Sequence, residues 1–232
     1  MFMKLFVLFF LLGSWLVAFE TTNIQLLYSN DFKGNSFIYD TKDGRKTTLT
    51  FEHFRTFSYG DLYMFVDAMK GEKFNGTEQE VYTEISPRLS FSKMTGKTFS
   101  FGIIKDVFIA TQLNYGEGYG AYLGGFGVDI DIPGFVSINL NAYYKSENIE
   151  SDTYQISPAY KTKDYYHVHF EGYMDLTSRD FNTHNQLLYD ITSFVSSKEH
   201  IYLGTEWIYY KYNNNGSKSL TNTFQAMFKY EF

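Results

Sequence analysis

From Thr21 to the end of the chain, polar and apolar residues change places at almost every step. Period two belongs to a strand whose two faces meet different surroundings, and no long stretch shows the 3.6-residue spacing of a helix. In Phe135 to Lys145, Val136, Ile138, Leu140, Ala142 and Tyr144 form one face; Ser137, Asn139, Asn141, Tyr143 and Lys145 form the other. Tyr166, Val168, Phe170, Gly172 and Met174 likewise oppose His167, His169, Glu171, Tyr173 and Asp175. At the end of the chain, Phe224, Ala226, Phe228, Tyr230 and Phe232 oppose Gln225, Met227, Lys229 and Glu231. A chain written this way folds into sheet, and the question is what each face meets.

A soluble sandwich alternates too, with one face in water and the other against a second sheet. Two features favour a membrane. Residues 1–18 read as a secretory signal peptide: Lys4 precedes the apolar run Leu5–Leu12, and Gly13, Ser14 and Ala18 stand near a cleavage point. That run is shorter than the ~20 residues a spanning helix needs, and no later apolar run of spanning length follows, so any membrane crossing is by strands. The second feature is spacing. About twelve strands are expected, at 21–29, 47–57, 61–68, 80–90, 98–113, 119–131, 135–145, 152–161, 164–175, 183–194, 200–212 and 220–232. Most approach the ~9–11 residues of a tilted membrane strand.

The connections suggest longer segments (30–46, 69–79, 146–151, 176–182 and 213–219) alternating with shorter ones (58–60, 132–134 and 162–163). That is the layout of a bacterial barrel with short periplasmic turns and longer outer loops; the long turn at 91–97 and the short loop near Gly116 depart from it. The last strand finishes on Phe232, the aromatic ending that barrel-assembly machinery recognises. The fold class is therefore all-β: a transmembrane antiparallel β-barrel over 19–232, located in the outer membrane.

Composition removes other classes. The chain has no Cys, so disulfides, thiolate metal sites and cysteine nucleophiles are absent. Its net charge of −6 lacks the basic footprint of a nucleic-acid binder. Aromatic residues make up 20%, which suits lipid-facing girdles and a lined lumen. Twelve strands enclose more space than the eight of a side-chain-filled barrel and less than a sixteen-strand porin. A narrow pore for small solutes is expected.

The inward face then carries Glu52, Asp61, Tyr63, Phe65, Asp67, Glu84, Arg88, Asp129, Asp131, Lys145, Lys161, His167, His169, Glu171, Tyr173, Glu206 and Lys229. Both signs occur, so a simple charge filter is not indicated. Aromatics stand among the charges, as in Asp61-Leu62-Tyr63-Met64-Phe65-Val66-Asp67, where a planar heterocycle finds faces to stack on and a sugar finds hydrogen-bonding partners. The plainer role for any one charge is to pair across strands and stiffen the wall. For Tyr144, Tyr160, Tyr166 and Tyr209, the plainer role is the girdle at the lipid interface.

These stretches resemble the Tsx-like family (Tsx/OmpK) of nucleoside-specific channel-forming outer-membrane proteins. Thr48-Leu49-Thr50-Phe51-Glu52-His53-Phe54 followed by residues 61–67 is similar to the family's second and third strands. Glu84-Ile85-Ser86-Pro87-Arg88-Leu89-Ser90 with Lys93, then Phe99-Ser100-Phe101-Gly102 with Lys105-Asp106, resembles the next hairpin; Glu-x-x-Pro-Arg is its most specific piece. Gly125-Phe126-Gly127-Val128-Asp129-Ile130-Asp131 resembles the sixth strand. The resemblance implies a monomeric twelve-stranded barrel with a keyhole-like lumen and passive, selective diffusion of nucleosides and deoxynucleosides. It implies a second role as receptor for phages or colicins at the outer loops. It carries pore-lining roles to Phe32 and Glu52. Thr50 stands where the family pattern has a further Glu, and the outer loops are shorter than in enterobacterial members.

The substrate contacts expected are thus Phe32, Glu52, Asp61, Tyr63, Phe65, Glu84, Arg88, His167, His169, Glu171 and Tyr173, with nucleosides, outer-membrane lipid and the assembly machinery as partners. No phosphate loop, dinucleotide fingerprint or kinase signature is present, so no cofactor is expected. His167 and His169 share a strand face, but no third ligand follows, so no metal is expected either. Rival readings are a general small-solute pore, a structural or receptor barrel without flux, and an outer-membrane hydrolase; an enzyme is not expected.

Overall fold

The computed structural model describes residues 19–32, 41–72, 79–195 and 197–232. The expected signal peptide and parts of the connections 30–46 and 69–79 lie outside the described residues. Among the described residues there are twelve strands: β1 (Glu20–Ser29), β2 (Lys46–Phe57), β3 (Gly60–Lys70), β4 (Gln79–Ser90), β5 (Ile104–Gly116), β6 (Tyr119–Ile130), β7 (Phe135–Glu147), β8 (Thr153–Thr162), β9 (Val168–Leu176), β10 (Asp180–Asp190), β11 (His200–Asn214) and β12 (Ser217–Glu231). Each pairs antiparallel with its sequence neighbours, and β1 closes on β12. Closure leaves no unpaired edge, the condition for crossing lipid with strands.

The closing seam shows how alternation sets the register. Ile24 lies opposite Tyr230 and Leu26 opposite Phe228, while Gln25 lies opposite Lys229. A slip of one residue would turn Lys229 into lipid and Phe228 into the lumen. The outer wall is an exposed apolar band that includes Leu26, Leu49, Leu113, Phe126, Leu140, Ile156, Leu187 and Leu203. Aromatics fringe it at both ends: Tyr28, Tyr115, Tyr122, Tyr144 and Tyr154 at the end away from the termini, and Phe19, Tyr59, Phe101, Tyr166 and Phe232 at the termini end. Tyr160 departs from its expected girdle role. It is half-buried and donates its hydroxyl to Asn185, an outward-facing amide tucked beside Gly172.

The connections differ from the expected layout. The far end carries tight turns at 117–118 and 215–216, because Asn215 and Gly216 both take positive φ (49° and 88°) and fold a two-residue hairpin. The ladder therefore runs on through Asn213 and Asn214, where a long loop was expected. The far end keeps the expected long connections 30–45 and 71–78, but the termini end carries two long ones as well, 91–103 and 191–199. In the first, the Ser90 hydroxyl accepts from Lys93 N (2.9 Å) and caps the short helix α1 (Phe91–Thr95), which ends on Gly96 at φ 68°. β5 begins only at Ile104, so residues 98–103 of the expected strand lie outside it. In the second, Asp190 accepts from Thr192 N (2.8 Å) and opens α2 (Thr192–Val195), so β10 ends four residues earlier than expected.

Gly125 marks a close approach of two strands. A Cβ there would lie 1.9 Å from the Ala142 carbonyl oxygen, so only glycine permits this approach of β6 to β7.

Candidate functional site

The lumen holds a cavity of about 370 Å³ that runs from the far end into the middle of the barrel. Its most continuous feature is an aromatic strip on β3, β4 and β6. Tyr63 and Phe65 have ring centroids 6.1 Å apart, Phe65 and Tyr82 5.9 Å, and Tyr82 and Tyr119 6.3 Å in a stacked pair. Strand alternation aims them: Tyr63, Phe65 and Asp67 share one face of β3, and Glu80, Tyr82 and Glu84 share one face of β4. Across the lumen, Tyr173 of β9 stacks on His184 of β10 at 5.0 Å and 11°.

Carboxylates stand beside the strip, held by neutral donors. Glu52 accepts from Asn23 Nδ2 (2.9 Å), the Tyr63 hydroxyl (3.0 Å) and Gln25 Nε2 (3.3 Å). Glu84 accepts from the Tyr82 hydroxyl (2.6 Å), Gln112 Nε2 (2.9 Å) and Asn114 Nδ2 (3.3 Å). Glu206 accepts from Gln186 and Gln225, each at 2.9 Å, and lies 3.4 Å from His184 Nδ1. Asp67 accepts from Thr50 (2.6 Å), and Asp175 from Ser157 (2.6 Å) and Gln155 (2.9 Å). Thr50, where the family pattern has a carboxylate, thus acts as the donor to one.

Both signs occur in the cavity, but acidic groups outnumber basic ones. Those five carboxylates, with Glu80, Glu117, Glu147, Glu150 and Asp180 nearer the far end, face Lys46, Lys145 and Arg179. Lys145 (3.0 Å) and Arg179 both pair with Glu147. Further compensated charges lie toward the termini. Arg88 binds Asp61 through Nε (2.9 Å) and Nη2 (2.8 Å), reaches Asp129 through Nη1 (2.9 Å), and lies over the Phe108 ring. Beneath the cavity, Lys229 reaches across to Glu171 (2.5 Å), which also meets Lys161 (3.3 Å).

Of the sequence-predicted contacts, Glu52, Tyr63, Phe65, Glu84 and Tyr173 come together on the cavity wall. Asp61 and Arg88 are brought together with each other, away from it. His169 and Glu171 are packed below it, with His169 3.1 Å from Asp164 and 3.4 Å from Glu171. His167 requires a correction: β9 starts at Val168, so His167 sits exposed in the preceding turn at φ 67° against Tyr189 and does not share a strand face with His169. Asp131 likewise falls beyond β6, exposed, 3.5 Å from Lys105. Phe32 is buried, but under the Lys46 ammonium (4.7 Å) and not on the cavity wall. Sequence reasoning missed Tyr82, Tyr119, Gln186 and Tyr210. The signal was present for two of them: Tyr82 stands two residues from Glu84, and Tyr210 four from Glu206, on the same faces.

Residues 21–223 match the family described as nucleoside-specific channel-forming protein, Tsx. Outer membrane protein OmpK of Vibrio parahaemolyticus is 28% identical over 128 residues, which are 50% of this chain and 49% of that protein. The nucleoside-specific channel-forming protein Tsx of Salmonella typhimurium is 29% identical over 136 residues, 52% of this chain and 47% of that one. The chain thus spans about half the length of the curated relatives it matches. Among solved structures, the KdgM porin superposes with a TM-score of 0.51 at 10% identity, covering 91% of this chain and 99% of that one, a likeness of fold.

Proposed function

The chain belongs to the family of nucleoside-specific channel-forming proteins, Tsx, and from that premise we propose that it is an outer-membrane channel for the passive, selective diffusion of nucleosides. The family is one of channels, not enzymes, and the outer membrane is the location its relatives share. The observation that carries the reading is the aromatic strip Tyr63–Phe65–Tyr82–Tyr119 with Glu52 and Glu84 beside it.

A base is planar and a ribose is rich in hydroxyls. Tyr82 and Phe65 supply faces for the base; Glu52 and Glu84 accept from the hydroxyls. Stacking on one aromatic side chain contributes ~1–3 kcal/mol, which holds a solute weakly enough for it to leave. A 370 Å³ cavity lies at the small end of the usual range for ligand sites, ~300–1,000 Å³. The termini end faces the periplasm, since a chain inserted from that side with an even number of strands keeps both ends there. The solute therefore enters at the far end, meets the strip, and passes the Lys229–Glu171 crossing to leave. The barrel works as a monomer. Phe232, exposed at the termini end, is where the assembly machinery engages it, and the outer turns are where a phage or colicin docks.

The test is single-channel current through the refolded barrel, titrated with adenosine and thymidine against glucose. Nucleosides reduce the current saturably and glucose does not. In Phe65→Ala/Tyr82→Ala, the half-effect concentration of adenosine rises about ten- to a hundredfold. Equal responses to all three solutes would leave a general small-solute pore.

A further inference from the structure

The row Gln186–Glu206–Gln225 runs straight across β10, β11 and β12, each residue opposite the next. Both amides give their Nε2 to the central carboxylate at 2.9 Å. This fixes their orientation, since a flipped amide would set its oxygen against the carboxylate. The consequence is two amide oxygens on the cavity wall that no donor reaches among the described residues. Gln225 is only 3% exposed, so bulk water is held off its oxygen, and a donor reaches it as the side chain shifts toward the cavity it lines. A buried acceptor left unpaired is costly, and a ligand bringing a donor recovers that cost.

The same logic extends along the wall. Glu52, Glu84 and Glu206 have drawn the nearby amide and hydroxyl donors to themselves. What remains on this side of the lumen is an excess of carboxylates and acceptors, beside the stacked faces of Tyr173 and His184, with His184 Nδ1 3.4 Å from Glu206. A neutral nucleoside answers part of this and compensates none of the charge. A primary ammonium group answers all of it: three donors, one positive charge and an affinity for aromatic faces.

We propose that the Gln186–Glu206–Gln225 row is a second subsite of the lumen, one that binds small aliphatic amines and lets this barrel conduct α,ω-diamines as well as neutral solutes. The subsite lies on β10–β12, across the lumen from the aromatic strip, and does not depend on the nucleoside reading.

The experiment uses the refolded full barrel in a planar bilayer at low salt, with 1,4-diaminobutane as probe and 1,4-butanediol, its uncharged counterpart, as control. The diamine lowers the current saturably at a concentration at least tenfold below any effect of the diol. In a salt gradient, the reversal potential reports cations crossing in preference to anions. Gln186→Met/Gln225→Met raises the half-effect concentration of the diamine about tenfold and moves that of adenosine much less, through the link from Gln186 to Gln25 and on to Glu52; Glu206→Gln moves the diamine response the same way. Heat-modifiable migration on a gel confirms that each variant is folded. Equal effects of diamine and diol, or variants that keep the wild-type diamine response, overturn the proposal. So does a joint loss of the diamine and adenosine responses. If adenosine has no effect even on the wild type, the nucleoside reading fails while the diamine comparison still decides this one.

Discussion

The two halves of the barrel are made of the same alternating strands, yet they handle charge in opposite ways. Toward the termini, the main inward charges meet their opposites: Arg88 holds Asp61 and Asp129, and Lys229 holds Glu171. Toward the far end, Glu147 takes up Lys145 and Arg179, while Glu52 and Glu84 are held by amides and hydroxyls and Glu206 by two amides with His184 beside it. Ion pairs draw side chains together and fill space. Carboxylates held by neutral donors stay against the wall and keep a cavity open. The difference lies in which residue types alternate, since the backbone pattern is common to both halves.

The comparison breaks most visibly at Arg88. Arg88→Leu leaves Asp61 and Asp129 facing each other in a largely buried setting, so the loss of folding stability is about 3–5 kcal/mol. Urea unfolding followed by tryptophan fluorescence measures it. A loss under about 1 kcal/mol would mean that the termini half does not depend on its ion pairs. Nucleoside response is not the readout here, because Arg88 lies off the cavity wall.

Lys229→Met comes next and sharpens the contrast. Glu171 keeps Lys161 at 3.3 Å and His169 at 3.4 Å, so it is not abandoned as Asp61 is. The expected loss is about 1.5–3 kcal/mol, the worth of one charge-assisted hydrogen bond. The larger sign is in conductance: Lys229 crosses the lumen beneath the cavity, and the shorter, uncharged Met widens the exit. Single-channel current rises in Lys229→Met and does not rise in Arg88→Leu. The opposite order would place the narrowest point at Arg88.

How far the sequence reached follows from the same contrast. Alternation revealed the barrel and the strand count, because period two is a property of each strand alone. It also placed Glu52, Tyr63, Phe65, Glu84 and Tyr173 on the inner face, where they line the cavity. Strand ends were less legible. His167 and Asp131 continue the alternation past the true ends of β9 and β6, and only the turn geometry, with His167 at positive φ, takes them off the face. Residues 98–103 alternate as well, but the Ser90 cap and Gly96 turn the chain into α1 first. Least legible was the height of a residue in the lumen. Asp61 and Asp67 sit six apart on one face of β3, yet the first is locked to Arg88 and the second lines the cavity, because pairing with β4 brings Arg88 opposite Asp61 and Tyr82 opposite Asp67. No single strand contains that information.

The smallest effect is expected outside both halves. Lys42 and Glu72 link the β1–β2 and β3–β4 connections at the far end, with Nζ 3.0 Å from the carboxylate and side-chain exposures of 40% and 55%. Their geometry is as close as that of Lys145 and Glu147, but water competes for both groups. The same two residues also share a backbone bond, Lys42 N to the Glu72 carbonyl at 2.7 Å, which any side chain at position 42 preserves. Lys42→Ala therefore shifts the urea midpoint by an amount equivalent to roughly 0.2–1 kcal/mol, and raising the salt concentration removes that shift in the wild type. A loss as large as that of Arg88→Leu would mean that the far-end connections, and not the paired wall, carry the stability of the barrel. That outcome would reverse the ordering drawn between paired and open regions.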